Sequence, residues 1–209
     1  MTIHFFQILS KSCMDCYKIP IFGISRQHKN KMEQRIDHLS AEQIGKIFPI
    51  EVVPYRKQWE TLYNNEKELI VHTLGNLVEI NIEHIGSTSV YGISAKPIID
   101  ILIEIPLLTS ETKKTITPKL REINYENMSN AEQEKRMTYG KGYDLHNPKK
   151  QKFHLHVREK CDDFQDEIYF RDYLRQNSDA LKKYEILKTD LAENTKIIVK
   201  IIPMLKQIS

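Results

Sequence analysis

The spacing of apolar positions changes repeatedly along the chain, and each change marks an element. From Tyr55 the apolar residues Trp59, Leu62, Tyr63, Leu69, Ile70 and Leu74 recur at three- and four-residue intervals, predicting an amphipathic helix with Trp59 as a core anchor and Gly75 as its C-cap. Val78, Ile80, Ile82 and Ile85 then give β-branched character to 79–85, and Gly86-Ser-Thr-Ser89 reads as a loop. A short helical turn is predicted over 90–95. After Pro97 an almost unbroken apolar run, Ile98 to Ile105, reads as a strand interrupted only by Asp100 and Glu104. Ser110 opens a helix reaching Leu120 to Ile123, and 125–130 is a polar connection. Two further strands are predicted over 137–143 and 152–158, separated by the turn former Asn147-Pro148.

The flanks are helical. Upstream, Ser40-Ala-Glu-Gln43 is a capping box for a short helix over 41–47, ended by Pro49 and followed by strand-like 50–53. Downstream, Phe164, Ile168, Tyr169, Tyr173 and Leu174 line one helix. Asn177-Ser178-Asp179 caps a second, whose face carries Leu181, Tyr184, Leu187 and Leu191. Strands interleaved with helices predict an α+β fold, a mixed sheet of about five strands flanked by helices.

Two features carry candidate chemistry. Asp100 within an apolar strand requires a hydrogen-bond donor, a cation or a metal, because an uncompensated buried charge costs several kcal/mol. Beside it the Gly86-Ser87 loop offers backbone N–H groups which, with that carboxylate, would hold a metal-bound phosphate; a tight turn with Ser87 and Thr88 capping a helix and Asp100 paired to Lys96 or an arginine is the bland alternative. Alternation places His84 on the face of Ile82 and Gly86, from which it would approach the same pocket. The second feature is Phe153-His-Leu-His-Val157. His154 and His156 project to one face and Phe153, Leu155 and Val157 to the other, so two imidazoles about 7 Å apart at their Cα atoms would share a metal, or one would act as a general base while the other binds phosphate; a structural, hydrogen-bonded pair is the bland alternative. A pocket shared by both histidines and Asp100 is the geometric expectation. Arg171 and Arg175, four apart on the first C-terminal helix, would bring Arg171 toward a phosphate or engage it in a surface ion pair. Lys149, Lys150 and Lys152 form a basic tip at the Asn147-Pro148 turn.

The stretch IEHIGSTSVYGISAKPIIDILIEI resembles the signature of the GrpB family, a group with a nucleotidyltransferase-like fold that also occurs fused to dephospho-coenzyme A kinases. LSAEQIGKIFPIEVVPYRKQW, KGYDLHNPKKQKFHLHV and YFRDYLRQNSDALKKYEILKTDL resemble other family segments in the same order, so the resemblance spans residues 39 to about 191. It implies a nucleotidyltransferase-like sheet in which Gly86, Ser87 and Thr88, with Lys96 and Arg171, bind a phosphorylated nucleotide or cofactor. Asp100, His154 and His156 would hold Mg²⁺ or Mn²⁺, and Asp100 and His156 would be catalytic. The usual second carboxylate, two residues beyond the first, is here Leu102, and Glu104 lies about 13 Å along the strand, too far to share an ion directly. The alternative is a non-catalytic ligand-binding or accessory domain linked to coenzyme A metabolism. Kinase activity in this chain is disfavoured, since G-x-x-x-x-G-K-[ST] is absent from the sequence. Beyond Leu191 the sequence departs from the family pattern, with Ile197-Ile-Val-Lys-Ile-Ile-Pro203 suggesting an altered or shortened end.

Bulk properties set the remaining bounds. The chain has 209 residues and a net charge of +3, which suits one domain and gives no reason to expect nucleic acid as a partner. No run approaches the roughly 20 apolar residues of a membrane span, and the N-terminus lacks a signal-peptide core. Cys13, Cys16 and Cys161 form no disulfide framework, and the sequence reads as cytoplasmic. Residues 1–36 lie outside the resemblance and read as an extension of uncertain order, leaving 37–209 as the domain. Cys13 and Cys16 alone have the spacing of half a zinc site.

Overall fold

The computed structural model describes residues 43, 46–49, 51–128, 135–160 and 166–205, with side chains to residue 191. The extension 1–36, its two cysteines and most of the capping-box helix lie outside the described residues. Among the described residues the helices α1 (Gln58–Leu74), α2 (Ser110–Glu122), α3 (Asp166–Gln176) and α4 (Ser178–Leu205) accompany the strands β1 (Asn81–Ile85), β2 (Ile98–Ile105), β3 (Glu126–Asn127), β4 (Arg136–Lys141) and β5 (Lys152–Glu159). The sheet order is β1-β2-β5-β4-β3, and among its four pairings only β2 with β5 is parallel. The fold is therefore α+β with a mixed five-stranded sheet, as the alternation of patterns predicts.

The core forms on one sheet face. Ile99, Ile101, Ile103 and Ile105 of β2 and Phe153, Leu155 and Val157 of β5 pack with Trp59, Tyr63, Ile70 and Leu74 of α1 and Ile116 and Leu120 of α2. Burying one such side chain contributes about 1.5–3 kcal/mol, so this face sets the register of every strand. Polar ties cross the layer. Lys141 Nζ meets Glu66 Oε1 at 2.7 Å, joining β4 to α1, and the Thr117 and Tyr139 hydroxyls lie 2.8 Å apart, joining α2 to β4. The opposite face carries Asp100, Leu102 and Glu104 of β2 beside His154, His156 and Arg158 of β5.

Several local expectations change. The turn after β1 comes earlier than 90–95: a 3₁₀ turn spans Ser87–Ser89, and the chain is then extended where Ala95 exchanges backbone hydrogen bonds of 2.9 Å with Val53. The connection 125–130 contains the edge strand β3, because Tyr125 is fully buried and draws the following residues against β4. Gly75 follows α1 as expected, but in a right-handed conformation at φ −61°. On α3 the buried positions are Arg171 and Leu174, whereas Tyr169 and Tyr173 remain 61% and 42% exposed. Phe170 meets Tyr184 of α4 edge-on with ring centroids 5.1 Å apart, turning that face of α3 inward instead. α4 runs helically through Pro203 to Leu205, so the divergent end continues the helix. Among the described residues no helix is long and apolar enough to cross a membrane.

Candidate metal centre

Asp100 is opposite His154 in the parallel β2–β5 ladder, and His156 lies two residues further along, opposite Leu102. Alternation puts all three of these side chains on the face away from the α1–α2 core. Asp100 Oδ1 lies 3.2 Å from His154 Nδ1 and 3.7 Å from His156 Nε2. One donor atom from each residue falls within 4.8 Å of the others. Donors on one ion at bonds of about 2.1 Å sit roughly 3.4 Å apart in a tetrahedral site, so small rotamer changes would close the set. The three side chains are 19–23% exposed, open enough for an ion to enter.

The electrostatics suit ligation. Burial pushes the Asp100 carboxyl upward, but hydrogen bonds from His154 and His156 and their positive charge prevail and hold it well below the ordinary carboxylate value. Burial lowers His156, assisted by the Arg158 charge and opposed by Asp100, so its neutral form is favoured. At neutral pH the cluster thus offers an anionic carboxylate and a neutral His156 imidazole, the forms a metal requires.

Supporting contacts orient the donors. His154 Nε2 is hydrogen-bonded to the Tyr143 hydroxyl, and the two rings lie nearly parallel, 9° between planes. With Nδ1 facing an ion, Nε2 carries the proton and donates to Tyr143, the arrangement that fixes a ligating imidazole. Gly140, opposite His154 on β4, makes room: a Cβ there would approach Met128 Sδ to 2.2 Å and the Tyr143 ring to 3.2 Å. Arg158 Nη2 lies 3.4 Å from His156 Nδ1; a guanidinium only donates, so this contact favours the ring proton on Nε2, toward Asp100, and ligation through Nε2 needs the other tautomer. Tyr143 falls inside the KGYDLHNP segment, yet nothing in its spacing marks it as a partner of His154.

The loop between β1 and β2 closes over the carboxylate. Gly86 adopts φ 71° and ψ −175°, and an added Cβ would sit 2.6 Å from Asp100 Oδ2, so both the backbone and the close approach require glycine. Ser87 Oγ accepts from Lys188 Nζ at 2.7 Å and lies 3.4 Å from the Tyr184 hydroxyl.

Other residues expected at this site have different duties. Thr88 is buried, donates to Ile98 O at 3.1 Å and contacts His84 Nε2 at the same distance, so it fastens the turn to β2. Arg171 is buried too. It meets Glu83 Oε2 at 2.7 Å, Asp172 Oδ1 at 2.8 Å and the His84 carbonyl at 2.8 Å, which docks α3 on β1. His84 pairs with Ile101, on the face opposite Asp100, and stacks on Tyr63 with centroids 4.5 Å apart. The antiparallel register puts Ile85, the odd-numbered neighbour, beside Asp100. Lys96 is half-buried just before β2.

Comparison with known proteins points to one family. A family model described as GrpB protein matches residues 49–200. The chain is 38% identical over 143 residues to the glutamate-rich protein GrpB of Alkalihalophilus pseudofirmus, covering 68% of this chain and 80% of that protein. It is 30% identical over 176 residues to a UPF0157 protein of Halalkalibacterium halodurans, covering 81% and 85% respectively. Its structure is similar to the crystal structure of the conserved protein GrpB from Enterococcus faecalis, with TM-score 0.59 and 28% identity over 73% of this chain and 94% of that one.

Proposed function

The chain belongs to the GrpB family, and from that premise we propose that it binds a divalent metal at Asp100, His154 and His156 and uses it to hold a phosphorylated nucleotide or cofactor over the Gly86-Ser87 turn. The observation that carries this reading is the convergence of one carboxylate and two imidazoles within 4.8 Å, from strands 54 residues apart. Asp100 contributes the charge, His154 and His156 the nitrogen donors, and Gly86, by lacking a Cβ, the room for the Asp100 carboxylate beside the turn. A bound ion would neutralise phosphate charge as a Lewis acid. Two imidazoles disfavour Mg²⁺, which prefers a nearly all-oxygen octahedral shell, and favour Mn²⁺ or a later first-row ion such as Fe²⁺ or Zn²⁺.

Nucleotidyl transfer is the reaction such a site would support, by positioning and charge neutralisation. A second reading, ligand binding without turnover, is favoured by Leu102: where a second carboxylate would complete a two-metal site, the side chain is fully buried and apolar. Incubation with Mn²⁺ and each nucleoside triphosphate, followed by assay for released pyrophosphate, separates the two.

Calorimetric titration with Mn²⁺, Zn²⁺ and Mg²⁺ tests the site itself. The expected result is tighter binding of Mn²⁺ and Zn²⁺ than of Mg²⁺, and a loss of about a hundredfold in Asp100→Asn, which keeps the shape but removes the anion. Equal affinity in wild type and Asp100→Asn would sink the assignment.

A further inference from the structure

We propose that the cleft bounded by Tyr55, Tyr91, Glu60 and Arg175 binds a purine base of the guanine type, independently of metal and phosphate. The inference stands apart from the metal reading above: His84, in the wall of this cleft, is on the sheet face opposite Asp100. The cleft holds about 530 Å³ between the start of α1, residues 88–91 and the end of α3, room for a fused two-ring base. Its aromatic wall is a pair. The Tyr55 and Tyr91 rings lie 4.9 Å apart, Tyr55 meets the fully buried Trp59 edge-on at 5.4 Å, and Tyr91 is 78% exposed. An aromatic ring backed by another and open to solvent is a stacking platform for a base, since every base has a π-face.

The polar groups choose the base. Glu60 is exposed in the first turn of α1, and its carboxylate makes no hydrogen bond or ion pair with another described residue. Arg175 Nη2 donates to the Ser89 carbonyl at 2.8 Å and Nη1 is 3.5 Å from Asp172 Oδ1, which fixes the guanidinium and still leaves N–H groups for a ligand. The cleft uses Arg175 as a donor, so the partial compensation of its charge by Asp172 does not remove its role. Burial raises the Tyr55 hydroxyl, the Glu60 charge adds to that and the Arg175 charge opposes it, so both groups act on one hydroxyl without pairing with each other. A ligand between them must offer donors to one and acceptors to the other. Guanine does so on adjacent edges: N1–H and N2–H₂ suit a carboxylate, and O6 and N7 suit a guanidinium. Adenine would turn the acceptor N1 toward the carboxylate and the donor N6–H₂ toward the guanidinium, and cytosine gives the carboxylate a single amino group.

The test is calorimetric titration of the full-length protein, in chelator, with guanosine, inosine, 7-deazaguanosine, adenosine and cytidine. Guanosine should bind most tightly. Inosine, which lacks the N2 amino group, and 7-deazaguanosine, which lacks the N7 acceptor, should each bind about tenfold more weakly, the effect of losing one charge-assisted hydrogen bond. Glu60→Gln should weaken guanosine about tenfold or more and bring it level with inosine, because the anion that reads N2–H₂ is gone. Tyr91→Ala should weaken guanosine and inosine alike by about tenfold through lost stacking. Both side chains are exposed, so the melting temperature should stay close to wild type in either variant. No binding of guanosine, equal binding of all five nucleosides, or a guanosine–inosine difference that survives Glu60→Gln overturns the inference. Since metal and phosphate take no part, each of those results leaves the metal centre standing. A protein that binds guanosine in this pattern but takes up no Mn²⁺ keeps the base site and loses the metal reading.

Discussion

At the scale of single residues, the candidate site is shaped by two residues outside its proposed ligand set. Gly86 holds φ 71° with ψ near −175°, a region open essentially to glycine, and lies where a methyl group would meet Asp100 Oδ2 at 2.6 Å. Gly86→Ala is expected to cost about 1–3 kcal/mol of stability from the backbone alone and to displace the Asp100 carboxylate. Urea unfolding together with Mn²⁺ titration reads both effects, and a variant with wild-type metal affinity would show that the carboxylate need not sit where it does. Tyr143 acts through His154. Tyr143→Phe removes the oxygen facing His154 Nε2 but keeps the stacked ring, so metal affinity should fall about tenfold while the melting temperature barely moves. The alternation of Phe153-His-Leu-His-Val157 announces the two imidazoles in sequence, whereas Tyr143 is separated from His154 by a turn whose path no local pattern specifies.

At the scale of elements, the pairing of helices with strands was legible where apolar periodicity was strong and obscure where charged side chains do the joining. β2 follows its pattern closely, and α1 does so at Trp59, Tyr63, Ile70 and Leu74 while Leu69 of the predicted stripe is exposed. α3 does not: its stripe includes Tyr169 and Tyr173, which face solvent, while Arg171 turns inward because Glu83 and the His84 carbonyl await it on β1. A charged residue's choice between solvent and a buried partner depends on where that partner is in space. The same holds for Lys141 and Glu66, 75 residues apart and mostly buried together. Lys141→Met strands the Glu66 carboxylate and should destabilise the protein by about 3–5 kcal/mol, whereas Lys141→Met combined with Glu66→Leu should recover most of that loss. Chemical unfolding of the single and double variants checks this, and a single variant as stable as wild type would show that the pair does not join α1 to β4 energetically.

At the scale of the whole molecule, stability should carry the signature of a buried neutral histidine. Burial lowers His84 to about 4, with the charges of Arg175 and Arg171 acting in the same direction and that of Asp100 against it. In the unfolded chain His84 titrates near 6.5, so between about pH 6.5 and pH 4 the unfolded state binds a proton that the folded state does not. Stability therefore falls as pH drops through that window, by about 3 kcal/mol at most from this group. Asp100, whose value is depressed, stabilises the fold above its unfolded value near 3.8 and loses that contribution only at lower pH, so the two windows separate. Unfolding free energies measured from pH 4.5 to 7 should slope less steeply in His84→Gln than in wild type, and parallel slopes would mean that His84 takes up a proton in the folded protein.

The sequence by itself determined the class of fold, the strands that carry Asp100, His154 and His156, and the sides of those strands on which they stand, because backbone periodicity of two is a local property. It determined as well that glycine follows β1 and that Leu102 stands where a second carboxylate would be. Only the tertiary structure decided that β2 and β5 run parallel in the register that sets Asp100 against His154, because register is chosen by burial of the whole opposite face against α1 and α2. It alone turned His84 away from Asp100, engaged Thr88 and Arg171 in the scaffold, and brought Lys188 to Ser87 and Tyr143 to His154. Those contacts join residues distant in the chain or separated by a turn, and their partners are fixed by how layers pack, which no local stretch of sequence encodes.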